Sequence, residues 1–505
     1  MKRLASLLFI AIIALTACSR TGASGEPIVI PTAVVTPGEV VGGQLVNAGV
    51  LPTLDDAPER PLYVLNVTLD YKEGNVHAQQ RIEFLNPTGK NITEVKFNVP
   101  PARREGAVEF RDARIFGQAN PLPFTLSDAV LTVQLPAPLA PDKAIALTFD
   151  FTFKVPLQEV ITGIGGDDTS RGPLSLTCGH WYVMLAPYRN DAWDTPAYVP
   201  IGDPYTSELA DYEVSILAPD GVVIAGAGDE VRAGRLWRYS LNKARVFAFA
   251  ASNRYTVDQL DQNGVTFLHY GYPQHGKNAE AVLNTAARAV KLYSQLYGPY
   301  PYKTLRIVET GRQQGQEYSA MVGIGTTIYD GYRSGGRHDL IATVAHEVAH
   351  QWWFNVVGND QIRAPWLDES LARYAELRFY QEVYPDDADW WYGYFILGRN
   401  RPSPNGAVDL GIADFGNSKA YIDAVYRRGM IFLNDLRRKL GQDTMDAVLK
   451  DFFTVEQYKV SNRDAFFDAI ARHTDKNISD IVETYFSDKF DLPCKISDNA
   501  EGCRR

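Results

Sequence analysis

Cysteine is scarce, with four in 505 residues at positions 18, 178, 494 and 503. Cys494 and Cys503 bracket a short polar tail and can close one small disulfide in an oxidising compartment, while Cys178 has no obvious mate. Long apolar runs are lacking too. After Cys18 no stretch of about twenty uncharged apolar residues occurs, so no spanning helix is expected beyond that point and the rest of the chain should be soluble. A basic excess is absent: 50 Lys and Arg stand against 60 Asp and Glu, a formal charge of −10 that becomes more negative once Lys2 and Arg3 are removed. That balance excludes nucleic acid as an expected partner and argues against charge-driven adhesion to anionic lipid. No internal repeat and no low-complexity block follows residue 61.

What is present begins with Lys2 and Arg3, then an apolar stretch from Leu4 to Leu15, then Thr16, Ala17 and Cys18. This is the layout of a secretion signal, too short to span a bilayer comfortably. Leu15-Thr16-Ala17-Cys18 resembles a bacterial lipobox, so residues 1–17 are expected to be cleaved and Cys18 to be acylated, placing the protein outside the cytoplasm on a membrane. An ordinary secreted protein is the alternative. Residues 18–60, rich in Thr, Pro, Gly and Val, read as a flexible tether.

Strand-like runs then recur at 63–71, 81–85, 95–99, 130–135, 146–153 and 212–217, which predicts a largely antiparallel β-rich domain over 61–274. From Asn278 to Tyr297 the period changes, with Val282, Ala286, Ala289, Tyr293 and Leu296 on one helical face and Gly298-Pro299 as the stop. A second domain is expected over 275–492, with strands at 304–309 and 324–329 and helices near 340–354, 366–384 and 422–440. A short tail, 493–505, follows. The fold class is multidomain α+β.

Histidine is rare, at eight residues, so His346-Glu347-Val348-Ala349-His350 inside a helical apolar pattern is informative. At these frequencies about 0.015 such patterns arise by chance, counting either acid. Four-residue spacing projects both imidazoles from one helix face, where they can share a tetrahedral metal, and Glu347 can reach a metal-bound water. A catalytic zinc needs a third protein ligand, and Trp366-Leu367-Asp368-Glu369-Ser370-Leu371-Ala372 offers one in Glu369. The bland reading of these acids is an exposed helix face laced with Arg373 and Arg378. His338 reads as a surface or helix-start residue.

Eighteen residues separate His350 from Glu369, and here the chain resembles the gluzincin peptidases of the aminopeptidase N and leukotriene hydrolase family. Asp368 and Ser370 depart from the family's usual Asn and Gly. The resemblance implies a saddle-like β-sandwich followed by a thermolysin-like, mainly helical catalytic domain with a small sheet. It implies one zinc ion per chain on His346, His350 and Glu369, with Glu347 as general base and Glu376 orienting a ligand imidazole. Tyr297-Gly298-Pro299-Tyr300-Pro301 and Gly315-Gln316-Glu317-Tyr318 are similar to two further family segments. They make Gly315, Gln316 and Glu317 substrate-binding residues, Glu317 pairing with the free amine of a peptide. The segment ending Tyr426-Arg427-Arg428-Gly429 is similar to the one that supplies an oxyanion-stabilising tyrosine, so Tyr426 is expected in that role, with Tyr421 as its competitor. A substrate-contacting glutamine of the family's β domain has no match in 179–217.

The expected activity is that of a zinc aminopeptidase acting on extracytoplasmic peptides with a free N-terminus. A zinc endopeptidase of the same chemistry and a catalytically silent scaffold are the alternatives; the retained Glu347 argues against the last.

Overall fold

The computed structural model describes residues 51–157, 168–398, 404–487 and 490–498. The expected signal peptide, Cys18, the tether up to residue 50, and Cys503 lie outside the described residues. Cys494 is disulfide-bonded, and Cys178 is free and buried.

The first half is β-rich because its apolar residues recur with period two. In Leu62–Asp70 the side chains of Tyr63, Leu65, Val67 and Leu69 are buried and the intervening ones are not. A seven-stranded sheet has the order Asp229–Ala233, Leu236–Ala244, Ala210–Leu217, Leu62–Asp70, Asn75–Leu85, Ala144–Lys154, Val108–Ile115. It is antiparallel throughout except where Leu62–Asp70 runs parallel to Ala210–Leu217. A four-stranded sheet that includes Ile92–Asn98 and Val130–Leu139 covers one face. The two meet through edge-on aromatic pairs, Phe97 against Phe149 at 5.1 Å and Phe84 against Phe97 at 6.4 Å. The arrangement is a β-sandwich.

Residues 51–60 do not behave as free tether. Leu51 is buried in the sandwich core, the Leu54 amide donates to Ala144 O at 3.0 Å, and Arg60 pairs with Asp211 at 2.8 Å. Apolar burial at Leu51 is enough to dock a short segment whose composition alone reads as linker.

A five-stranded sheet begins the second half, built from β1 (Thr256–Gln262), β2 (Val265–Gly271), β3 (Thr304–Thr310), β4 (Gly315–Tyr318) and β5 (Met321–Gly325) in the order β1-β2-β3-β5-β4. β1 and β2 fall on the β-rich side of the expected boundary at 274, yet β2 pairs in parallel with β3. Hydrogen bonding therefore divides the halves between residues 252 and 256, because a strand's sheet is chosen by tertiary pairing rather than by composition. The expected strand 324–329 is likewise two pieces, β5 and a 3-10 turn over Thr326–Tyr329. A side chain at Gly325 would lie 2.6 Å from Arg312 O, so the close approach of the Arg312 segment admits only glycine where the strand ends.

Three of the helices that follow frame the site: α1 (Ala279–Leu296), α2 (Asp339–Ala349) and α3 (Trp366–Val383). His338 caps α2, its Nδ1 accepting from the Leu340 amide at 3.1 Å. Asp339 in the first turn of α2 complements the helix dipole. α1 is locked to α2 by the Tyr293 hydroxyl, which donates to Ala345 O at 3.1 Å. The exposed-face alternative for α3 does not hold, for fourteen of its eighteen residues are buried, Arg378 among them.

Candidate active site

α2 and α3 cross so that three ligand atoms converge. His346 Nε2 lies 3.2 Å from Glu369 Oε2, His350 Nε2 lies 3.3 Å from His346 Nε2, and His350 Nε2 lies 3.5 Å from Glu369 Oε2. For metal bonds of about 2.0–2.1 Å, a tetrahedral centre separates its donors by roughly 3.3–3.4 Å. The triangle thus has the edge length that zinc requires. Glu369 occupies the first turn of α3, where the helix dipole favours its negative charge.

The outer nitrogens of both imidazoles face carboxylates, hydrogen-bonded for His350 but not for His346. His350 Nδ1 is 2.5 Å from Asp368 Oδ1, and His346 Nδ1 is 3.4 Å from Glu376 Oε2. Asp368, a departure from the family pattern in the sequence, therefore performs for His350 the orienting contact expected of Glu376 for His346. Its other oxygen accepts from Gln361 Nε2 at 2.8 Å. Ser370, the second departure, is buried and donates to Val425 O at 2.7 Å. Glu376 also accepts from Arg373 at 2.5 Å and from the Trp391 indole.

A cleft of about 460 Å³ opens over the triangle, lined by Asp203, Glu317, Glu347, Arg373, Phe395 and Tyr426 among others. Its walls are acidic. Burial pushes the Glu347 carboxyl up to about 7 against the pull of His346 and His350, and pushes Asp203 to about 7 with Glu369 adding to it. Glu317 is raised by burial and then by Asp203. Burial raises Glu369 as well, but hydrogen bonds from His346 and His350 outweigh it and hold the carboxyl low. Such a concentration of buried carboxyls suits a divalent cation, which stabilises the ionised forms and the neutral imidazoles together.

Glu317 is buried on edge strand β4. Its oxygens accept from two neutral amides, Gln361 at 3.2 Å and Gln316 at 3.0 Å, and among the described residues it has no ion pair. Gln316 turns inward as a bridge, its Nε2 also donating to Asp203 Oδ1 at 2.9 Å. Gly315 is placed by a different need from substrate binding alone. A Cβ there would lie 1.9 Å from Glu347 Oε1.

Tyr426 lines the cleft, and its hydroxyl donates to Glu369 Oε1. Burial raises its pKa well above the ordinary tyrosine value, so it remains a donor at neutral pH. Tyr421 does not line the cleft but packs behind it, its ring 5.7 Å from that of Tyr426, its hydroxyl 2.7 Å from where a Gly202 side chain would begin, and its pKa raised by burial and then by Glu369 and Asp203. Tyr426 sits on a widened helical stretch, the π-helix Ile422–Arg428, whereas Tyr421 ends the α-helical turn Ser418–Tyr421 just before it.

Asp203 is a cleft residue that the sequence does not single out. It lies in the β-rich half with no motif around it beyond the turn formers Gly202 and Pro204. Its loop is pinned by Tyr205, whose ring stacks on His180 at 3.8 Å and whose hydroxyl donates to Asp168 at 3.0 Å.

Residues 281–485 match the Peptidase family M1 domain. Endoplasmic reticulum aminopeptidase 1 of Homo sapiens is 25% identical over 239 residues, 44% of this chain and 25% of that protein. Aminopeptidase N of Lactobacillus delbrueckii subsp. lactis is 26% identical over 257 residues, 47% of this chain and 30% of that protein. The matched stretches thus span between a quarter and a third of these relatives' length. An M1 zinc metallopeptidase from Deinococcus radiodurans superposes with a TM-score of 0.62 at 16% identity, covering 88% of this chain and 95% of that one. A mutant of that enzyme bound to the substrate Tyr-Ser-Ala superposes with a TM-score of 0.60 at 16% identity, covering 86% and 96%. Residues 281–485 thus match a peptidase family M1 domain, and the chain shares the two-part fold of a solved M1 zinc metallopeptidase.

Proposed function

We propose that this protein is a zinc aminopeptidase that removes the first residue from peptides with a free N-terminus. The observation that carries the reading is Glu317, a buried carboxylate beside the ligand triangle that is held by neutral amides and lacks a cation among the described residues. An ammonium group is the partner it is built for. Asp203, joined to it through Gln316, adds a second acidic group on the same side. The names of the relatives, aminopeptidases and a metallopeptidase bound to a tripeptide substrate, support the same activity.

His346, His350 and Glu369 would hold a zinc ion, which would supply Lewis-acid chemistry to the scissile carbonyl and to the attacking water. Glu347 would take a proton from the attacking water and return it to the leaving amine, a task suited to a carboxyl whose burial raises its proton affinity. Tyr426 turns its O–H from Glu369 towards the carbonyl oxygen as negative charge develops there, a contribution of roughly 3–4 kcal/mol in comparable sites. Glu317 fixes the amine, so that only the bond after the first residue reaches the reacting centre.

The test is hydrolysis of an aminoacyl fluorogenic amide and its N-acetylated twin, with and without a chelator. Chelator-sensitive cleavage of the free amine alone supports the aminopeptidase. Equal cleavage of both supports an endopeptidase, and inertness of the zinc-loaded protein across a varied panel supports a silent scaffold.

The lipobox-like sequence ending in Cys18 supports an extracytoplasmic, lipid-anchored location, and Cys18→Ala is expected to abolish incorporation of labelled palmitate. Among the described residues no helix is long and apolar enough to cross a membrane.

A further inference from the structure

The cleft has two chemically distinct ends. Glu317 lies on the His350 side, one of its oxygens within 4.8 Å of a His350 nitrogen and an Asp368 oxygen. Arg373 lies on the His346 side: it binds Glu376, which faces His346 Nδ1, and its guanidinium sits 5.5 Å from the Tyr426 ring centroid and 5.6 Å from that of Phe395. Tyr426 itself neighbours His346, with ring centroids 6.0 Å apart. A peptide that places its amine on Glu317 and its first carbonyl over the ligand triangle therefore sends its second residue towards Tyr426 and Arg373.

Arg373 is the one Arg or Lys among the described residues lining this acidic cleft. The Glu376 contact uses one nitrogen of a planar fork that carries five N–H donors, and the side chain keeps 15% of its surface open. A brace for Glu376 alone has no need to border the cleft. Two aromatic rings hold the guanidinium in place, which lowers the entropy lost when it binds a planar anion.

We propose that Arg373 reads a carboxylate on the leaving-group side of the scissile bond. That carboxylate is either the C-terminus of a dipeptide or other short peptide, or the side chain of an acidic second residue. The inference rests on the aminopeptidase reading, since it takes the substrate's direction from Glu317.

The test compares kcat/KM of the zinc-loaded protein for Leu-Gly against Leu-Gly-amide and for Leu-Glu-amide against Leu-Gln-amide, in wild type, Arg373→Met and Arg373→Lys. Wild type is expected to favour the carboxylate member of at least one pair by roughly ten- to a hundredfold, mostly through KM. Arg373→Met is expected to erase that preference and Arg373→Lys to restore part of it. A preference in the first pair identifies a terminal carboxylate, and in the second an acidic side chain. Equal rates within both wild-type pairs, or a preference that survives in Arg373→Met, overturn the role of Arg373 while leaving the aminopeptidase intact. Failure of wild type to cleave any of these free amines overturns both. A purely structural Arg373 would change zinc content and absolute rates without changing the ratios within pairs.

Discussion

Replacing Gly315 with alanine isolates the dependence of the site on a missing side chain. The new Cβ would lie 1.9 Å from Glu347 Oε1 and 2.8 Å from Thr343 Cγ2, whereas ordinary contact begins near 3.4 Å. The carboxylate must retreat by about 1.5 Å, or β4 must move away from α2 by a similar amount. Overpacking of this kind costs roughly 1–3 kcal/mol of stability, at the lower end here because a carboxylate can swing aside. The catalytic penalty is larger, since displacing a reacting group by about 1 Å costs on the order of a hundredfold. His346, His350 and Glu369 meet none of the close atoms, so the metal should stay. Gly315→Ala is therefore expected to retain one zinc per chain by elemental analysis and to lose at least ~100-fold in kcat on an aminoacyl amide. A Gly315→Ala protein with wild-type kcat and unchanged melting would refute the claimed contact between β4 and Glu347.

Three further outcomes are expected. Tyr426→Phe should lower kcat by roughly a hundred- to a thousandfold with zinc content unchanged, whereas Tyr421→Phe should change kcat little; the reverse pattern would transfer the oxyanion role to Tyr421. Removing the metal should lower the melting temperature, because bound zinc stabilises the folded state by mass action and the freed acidic cluster repels itself; identical melting of apo and zinc-loaded protein would contradict this. Asp168→Asn should cost about 1.5–3 kcal/mol in denaturant unfolding, since the buried carboxylate accepts from His180 Nδ1 at 2.7 Å, from the His180 amide at 2.9 Å and from Tyr205. Burial raises the Asp168 carboxyl, but His180 outweighs it and the net shift is downward. The folded pKa thus lies below the unfolded one, so this stabilisation is complete above about pH 4 and fades as pH falls through the folded value. Asp168→Asn should lose that part of the acid dependence, and an unaltered pH–stability curve would argue against it.

The zinc ligands are legible in the sequence because their geometry is local. Two imidazoles four residues apart on a helix share a face whatever surrounds them, and rare histidines make the pattern hard to produce by accident. Glu317 is legible through the resemblance of the four residues of β4 to a known segment. Period-two patterning of apolar residues announces the β-rich half, and the 3.6-residue pattern announces α1.

Other features depend on residues far apart in the chain, and only the tertiary structure decides them. Composition assigns residues 51–60 to a tether, but Leu51 finds an apolar pocket in the sandwich. Strands β1 and β2 look like the β-rich half yet pair with β3, because backbone hydrogen bonding carries no signature in side-chain type. Asp203 reaches the cleft from 113 positions before Gln316, through a loop held by a buried His–Asp pair, and nothing in its own neighbourhood marks it. Asp368 stands in the sequence as a departure from a family motif and Arg373 as a charge on a helix face, until the packing of α3 sets Asp368 against His350 and Arg373 against Glu376 at the wall of the cleft. A helix or strand is set by neighbours in sequence, but the electrostatic environment of a carboxylate or guanidinium is set by whatever the fold brings within a few ångströms.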